Sequence, residues 1–167
     1  MKAVPRVLCA PGPSGRLHAA VCQEDPHDHC RRCLCGAVRY EIDGAPLVVR
    51  TCWCTDCQKF AAGNATVNVV FPSEAVRIEG ALRDYPSIAD SGNVMHRGFC
   101  PNCGTPVTTG SEARPHLIGI RGGTLDDKEI GKPDMTIWTK SAPRWAVIDP
   151  TIPRHETQPK LPGPPKD

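Results

Sequence analysis

The middle of the chain alternates apolar and polar residues with a period of two. Val38, Tyr40 and Ile42 are separated by Arg39 and Glu41, the pattern of a strand with one buried face. Asp43-Gly44 then supplies turn residues, and Leu47-Val48-Val49 opens a second strand. Thr66 to Phe71 is rich in β-branched residues and stops at Pro72, and Val76 and Ile78 flank Arg77 before Gly80. Further strands are predicted at Val94 to Phe99, His116 to Arg121, Met135 to Thr139 and Trp145 to Ile148. No helical period is sustained, and helix is expected only as a turn after Cys54. The pattern predicts an all-β fold of short antiparallel strands joined by tight turns.

Three zones follow. Residues 1–31 lack a hydrophobic period and read as a flexible leader, residues 32–149 hold the predicted strands, and residues 150–167, with six prolines, read as a Pro-rich tail. The full length, 167 residues, suits one domain. Leu, Ile, Val and Phe make up only about a fifth of the chain, a thin supply for an apolar core. Beside 15 Gly and 18 Pro stand 10 Cys, so cysteine chemistry is the candidate for the missing stability.

A net charge of +2 and 5% aromatic residues argue against nucleic acid as a partner, since such surfaces are strongly basic. No apolar run reaches the roughly 18 residues of a membrane span. Pro5, Pro11 and Pro13 interrupt the N-terminus, leaving no apolar core of a secretory signal. A transit-type presequence built on Arg6, Arg16, Arg31 and Arg32 is opposed by Glu24, Asp25 and Asp28. The expected location is the cytoplasm, where thiols stay reduced and clustered cysteines serve metals or catalysis rather than disulfides.

Seven cysteines fall in three groups: Cys33-Leu-Cys35-Gly, Cys52-Trp-Cys54-Thr-Asp-Cys57 and Cys100-Pro-Asn-Cys103-Gly. Thiolates two or three residues apart can converge on one tetrahedral zinc, and the glycines behind Cys35 and Cys103 suit the sharp turns around a metal. A closed site uses four ligands. The simplest partition closes Cys33, Cys35, Cys100 and Cys103 on one zinc and leaves Cys52, Cys54 and Cys57 as a three-thiolate site with a vacancy. Spacing also permits a ribbon site from Cys54, Cys57, Cys100 and Cys103, leaving Cys33, Cys35 and Cys52. The vacancy could equally be closed by Cys30, His96 or His116, giving two structural zincs.

The runs C-L-C-G-A-V-R-Y, C-W-C-T-D-C-Q and F-C-P-N-C-G-T, spread over roughly residues 32–148, resemble the glutathione-dependent formaldehyde-activating enzyme family, to which centromere-protein-V-like domains also belong. The resemblance implies a zinc-stapled β-tent similar to that of Mss4-like proteins, with two Zn2+ per chain. It implies a structural zinc on Cys33, Cys35, Cys100 and Cys103 and a catalytic zinc on Cys52, Cys54 and Cys57. It also implies a carbon–sulfur lyase that condenses a small thiol, glutathione, with an aldehyde, formaldehyde. Two departures stand out. Trp53 occupies a position where the family often has His, and Arg144 is inserted in Ser141-Ala-Pro-Arg-Trp145, where the family often has a Pro-Trp pair. Both could reshape a substrate pocket. The alternative is a non-catalytic zinc-stabilised β-tent that binds a partner.

Asp56, Gln58 and Lys59 adjoin the three-cysteine group and are candidates for hydrogen bonds to its ligands or, equally, plain turn residues. Arg97, Arg121 and Lys140 are candidate cations for a glutathione carboxylate, with nothing in the sequence to choose among them. Phe60, Phe71, Phe99, Trp138 and Trp145 read as core or pocket wall. Cys9 and Cys22 read as free thiols, His27 and His29 beside Cys30 as adventitious metal binders, and Asp126 to Glu129 as a solvated loop.

Overall fold

The structure, a computed structural model, describes residues 31–159. Ten strands and one short helix follow one another: β1 (Arg39–Ile42), β2 (Val48–Cys52), α1 (Thr55–Phe60), β3 (Thr66–Pro72), β4 (Val76–Glu79), β5 (Arg83–Ile88), β6 (Val94–Phe99), β7 (Thr108–Ser111), β8 (Leu117–Arg121), β9 (Met135–Ile137) and β10 (Arg154–His155). The architecture is all-β, in agreement with the period-two reading. β1 and β4 form a two-stranded antiparallel ribbon, and the other eight form one sheet in the order β10-β9-β2-β3-β8-β7-β6-β5. Its pairings are antiparallel except at one end, where β9 runs parallel to both β2 and β10.

Register divides this sheet into two faces. Val49 lies opposite Val69 and Val69 opposite Ile120, whereas the next pairs along are Arg50 with Asn68 and Asn68 with Arg121. Because side chains alternate sides, one face is apolar, and the other carries these polar pairs beside Val48 and Val70. The apolar face builds the core, where Val38, Tyr40, Val49, Val69, Phe71, Val107, Ile120 and Leu125 pack with Cys33 and Cys100. The Tyr40 hydroxyl is satisfied there by Thr124 Oγ1 at 2.7 Å. Phe71 is 1% exposed, and truncating such a residue costs about 3–5 kcal/mol.

The strands missed in sequence lack an apolar signature. β5, Arg-Asp-Tyr-Pro-Ser-Ile, is the edge of the sheet, where Pro86 loses no ladder bond and charged residues discourage edge pairing. β7 reads Thr-Thr-Gly-Ser. β10 lies among the prolines of the expected tail, and Thr136 N–H donates to Pro153 O at 2.9 Å, so the sheet continues past residue 149. The predicted strand at Trp145 to Ile148 does not form. Ala146 N–H closes a turn on Pro143 O, and Trp145 instead packs edge-to-face on Trp53, with ring centroids 6.2 Å apart. β9 stops at Ile137 because Trp138 takes a left-handed conformation (φ 61°), uncommon for an aromatic residue.

Candidate metal centres and the adjoining cavity

Two knuckles carry the first cysteine group. Before β1, Gly36 (φ 75°) lets the chain turn back so that Gly36 N–H reaches Cys33 O at 3.1 Å. After β6, Gly104 (φ 72°) does the same, with its N–H 2.9 Å from Cys100 O. The left-handed φ at both positions is one that glycine alone adopts freely. The knuckles are joined where Leu34 N–H donates to Thr105 Oγ1 at 3.2 Å. This brings Cys33, Cys35, Cys100 and Cys103 together, with all four sulfurs within 4.8 Å of one another.

Sulfur separations of 3.6 Å (Cys33–Cys35) and 3.7 Å (Cys35–Cys100) are far too long for disulfides. They match the spacing of about 3.8 Å expected between two sulfurs each about 2.3 Å from one tetrahedral zinc. The four residues therefore fit a thiophilic divalent ion. The thiols also share charge. At Cys103 burial raises the pKa, but hydrogen bonds from the Thr105 hydroxyl and backbone outweigh it and bring the thiol down to about 5. At Cys35 the Ala37 amide pulls downward but is outweighed by burial and the neighbouring thiols, which push it up to about 12.

The second group is built differently. Cys52 ends β2 on the polar face, opposite Thr66 and Ile137. Cys54 caps α1, its sulfur accepting the Cys57 N–H at 3.4 Å, and Cys57 lies one turn in. Gln58 ties this corner down: its Nε2 donates to Trp53 O at 2.7 Å and Ser141 O at 2.9 Å. Gln58 thus holds backbone, and Lys59 is exposed. The sulfurs of Cys52, Cys54 and Cys57 lie within 4.8 Å of one another, and among the described residues no fourth Cys, His, Asp or Glu joins them. Their chemistry fits the same kind of ion with one position left over. Hydrogen bonds from Cys52 and then Cys54 pull the Cys57 thiol down to about 2, while hydrogen bonds with Cys54 and then Cys57, together with burial, push Cys52 upward.

The seven sulfurs thus lie as one group of four and one of three, and those of Cys54 and Cys57 are not grouped with those of Cys100 and Cys103. His96 lies 2.5 Å from Asp84 and 3.2 Å from Glu112, and His116 is exposed, so neither joins the sulfurs. Cys9, Cys22, His27, His29 and Cys30 lie outside the described residues.

The three-cysteine group opens onto a cavity of about 330 Å³ bounded by the polar face of the sheet, α1 and the β5–β6 hairpin. Cys52, Cys54, Asp56, Arg97, Arg121 and Trp138 are among its lining residues. Asp56 is fixed by Arg97 Nη2 at 2.9 Å. Phe60 lies beneath both Arg97 and Arg121, whose guanidinium carbons are 5.4 and 5.7 Å from its ring centre. Lys140 stacks over Trp138 at 5.1 Å and does not line the cavity. Trp53 and Trp145 do not line it either; they pack on each other, so Trp53 meets the residue that follows the inserted Arg144. The sequence missed Arg50 of β2, which also lines the cavity. Its place two residues before Cys52 in a strand put it on the cysteine's side.

The family model described as glutathione-dependent formaldehyde-activating enzyme matches residues 29–141, about two thirds of the chain and both cysteine groups. The chain belongs to the glutathione-dependent formaldehyde-activating enzyme family. No curated protein matches it. A crystal structure of a Rhodobacter sphaeroides protein is similar at 21% identity, with a TM-score of 0.48, covering 61% of this chain and 94% of that one. Within the formaldehyde-activating family, glutathione and formaldehyde are the implied substrates and cysteine-bound zinc the implied metal. No helix among the described residues is long and apolar enough to cross a membrane.

Proposed function

We propose that this member of the family condenses a small thiol with a small aldehyde, as a carbon–sulfur lyase whose product is an S-hydroxymethyl adduct, and that it does so at Cys52, Cys54 and Cys57. Cys33, Cys35, Cys100 and Cys103 then hold the structural zinc. The observation that carries this reading is the cavity: three sulfurs with no fourth partner among the described residues form part of its wall, whereas in the four-sulfur group Cys33 and Cys100 are buried in the core.

When bound, zinc at the three cysteines supplies a Lewis acid that favours the thiolate form of an incoming thiol. The reaction then needs only proximity and a proton. A carbon–sulfur bond forms, the carbonyl π pair moves to oxygen, and the proton lost by sulfur ends on that oxygen, so no oxidant or reductant enters. Asp56 holds that proton in transit, because it lines the cavity on the helix that carries Cys57 and Arg97 fixes its orientation. Trp138, Val70 and Ile137 give the wall an apolar part that limits water beside the reacting carbon.

Exchange NMR of formaldehyde with glutathione, run with and without zinc-loaded protein, tests the proposal. It predicts faster exchange with protein and two zinc ions per chain. Two zinc ions and no acceleration would make the chain a zinc-stabilised binding module instead.

A further inference from the structure

The outer wall of the cavity is a strap that the sheet holds along one side only. After Leu82, which packs against the core, the chain runs through β5 and its turn to Val94, whose carbonyl accepts the Glu112 N–H at 3.1 Å. β5 pairs with β6 alone and keeps a free edge. Five of its six residues are exposed, Ile88 at 75% among them, and only Ser87 is half-buried. Ile88, Ala89, Asp90, Ser91 and Asn93 nevertheless line the cavity. A segment with so little buried area opens locally at low cost.

Arg97 of β6 joins this strap to the helix. Its side chain is 8% exposed, and it donates to the Ser87 hydroxyl in β5 and through Nη2 to Asp56 in α1 at 2.9 Å. The Phe60 ring, also of α1, has its centre 5.4 Å from the same guanidinium carbon. Among the described residues no other side-chain hydrogen bond joins α1 to the strap or to β6. The other side-chain tie of the strap, Asp84 to His96, lies on the opposite face. Asp56 sits between Cys54 and Cys57 in a helix of six residues, too short to hold itself in water. Gln58 anchors the backbone on either side of the helix, at Trp53 and Ser141, and Cys54 and Cys57 flank Asp56 itself.

We infer that residues 83–93 are a movable wall of the cavity and that Arg97 is its latch, coupled through Asp56 to the ion at the three cysteines. The coupling rests on the reading that Cys52, Cys54 and Cys57 hold zinc. With the ion in place the first turn of α1 is fixed, Asp56 aligns Arg97, and Arg97 holds Ser87 and the strap down. When the ion leaves, the turn loosens and the strap with it, while β6 stays in the sheet beside β7. The coupling is reciprocal, so a strap without its latch also weakens the hold on the ion.

Amide hydrogen exchange of the zinc-loaded full chain, at one pH and with β3 as internal reference, reads the strap directly. Ser87→Ala should speed exchange of residues 83–93 about tenfold, the weight of one hydrogen bond to a charged group, and leave β3 unchanged. Ser87→Thr, which keeps the hydroxyl, should retain the unmodified rate. Cys54→Ser, with one zinc lost, should speed the same residues by a similar factor. It should add little on top of Ser87→Ala, since the two act through one tie. Competition with a chelator should show Ser87→Ala weakening zinc at the open site by a comparable factor, with the four-cysteine zinc retained. Unchanged exchange in Ser87→Ala would overturn the latch, and fully additive effects of the two substitutions would overturn the coupling. A single zinc per chain that Cys54→Ser does not remove would instead sink the three-cysteine reading, and a Ser87→Ala effect persisting there would support the latch alone.

Discussion

The two cysteine groups have the same donor atoms and opposite surroundings. Cys33 and Cys100 are 1% and 0% exposed and pack with Val38, Phe71 and Val107. Cys52, Cys54 and Cys57 adjoin a cavity walled by arginines and an aspartate. The knuckles of the first group are held by their own backbone turns, so its sulfurs close on one another. The second group draws two sulfurs from a helix start and one from a strand end, leaving one side open to the cavity. On the proposed function, cysteines of one kind thus become a staple or a reaction centre according to what packs around them.

The largest effect that would break this contrast concerns the staple. Cys100→Ser should abolish the cooperative thermal transition seen by circular dichroism, because structural zinc contributes about 10–16 kcal/mol and a domain is stable by about 5–15. Cys54→Ser should instead keep the melting temperature within a few degrees, lose one zinc per chain and lose exchange activity. Equal unfolding in both variants would erase the distinction between the groups. Graded chelation sharpens it: activity and the first zinc should disappear together, before circular dichroism changes, as the chelator reaches the open site first. Asp56→Asn should lower the exchange rate by about 100-fold with both zinc ions retained, the lower range for a lost proton-transfer group.

The smallest effect lies at the far edge of the sheet. Hydrogen bonds from Asp84 and then Glu112 hold the His96 pKa above its usual value. A raised folded-state pKa means stability that is fully present below the unfolded value, about 6.5, and fades as pH rises through the folded one. The β5–β6–β7 edge should therefore exchange its amides faster as pH rises through that window, after correction for intrinsic exchange. His96→Gln should remove this dependence without altering zinc content.

Where side chains alternate, the sequence was readable: β3, β6 and β8 lie within a residue of the predicted bounds. Where a strand is held by its neighbours alone, as in β5, β7 and β10, no local pattern announces it. The cysteine spacing pointed to both groups but left their partition open, because which knuckles meet depends on tertiary pairing. The bond from Leu34 to Thr105 spans 71 residues. Arg50 had a local signal, its i, i+2 spacing to Cys52, but what it faces depends on the same tertiary pairing. Its partner Asn68 is a cross-strand neighbour, and neither residue looks chemical in a one-dimensional reading.

The interleaving of two faces along β2, β3 and β8 gives this chain something like a reading frame. Deleting one residue within any of these strands would send Val49, Val69 or Ile120 into the cavity and Arg50, Asn68 or Arg121 into the core. The core and the cavity would fail in one event rather than by degrees. Unless a β-bulge absorbs the odd residue, changes of length in these strands should be tolerated in twos, and single-residue changes in the turns between them.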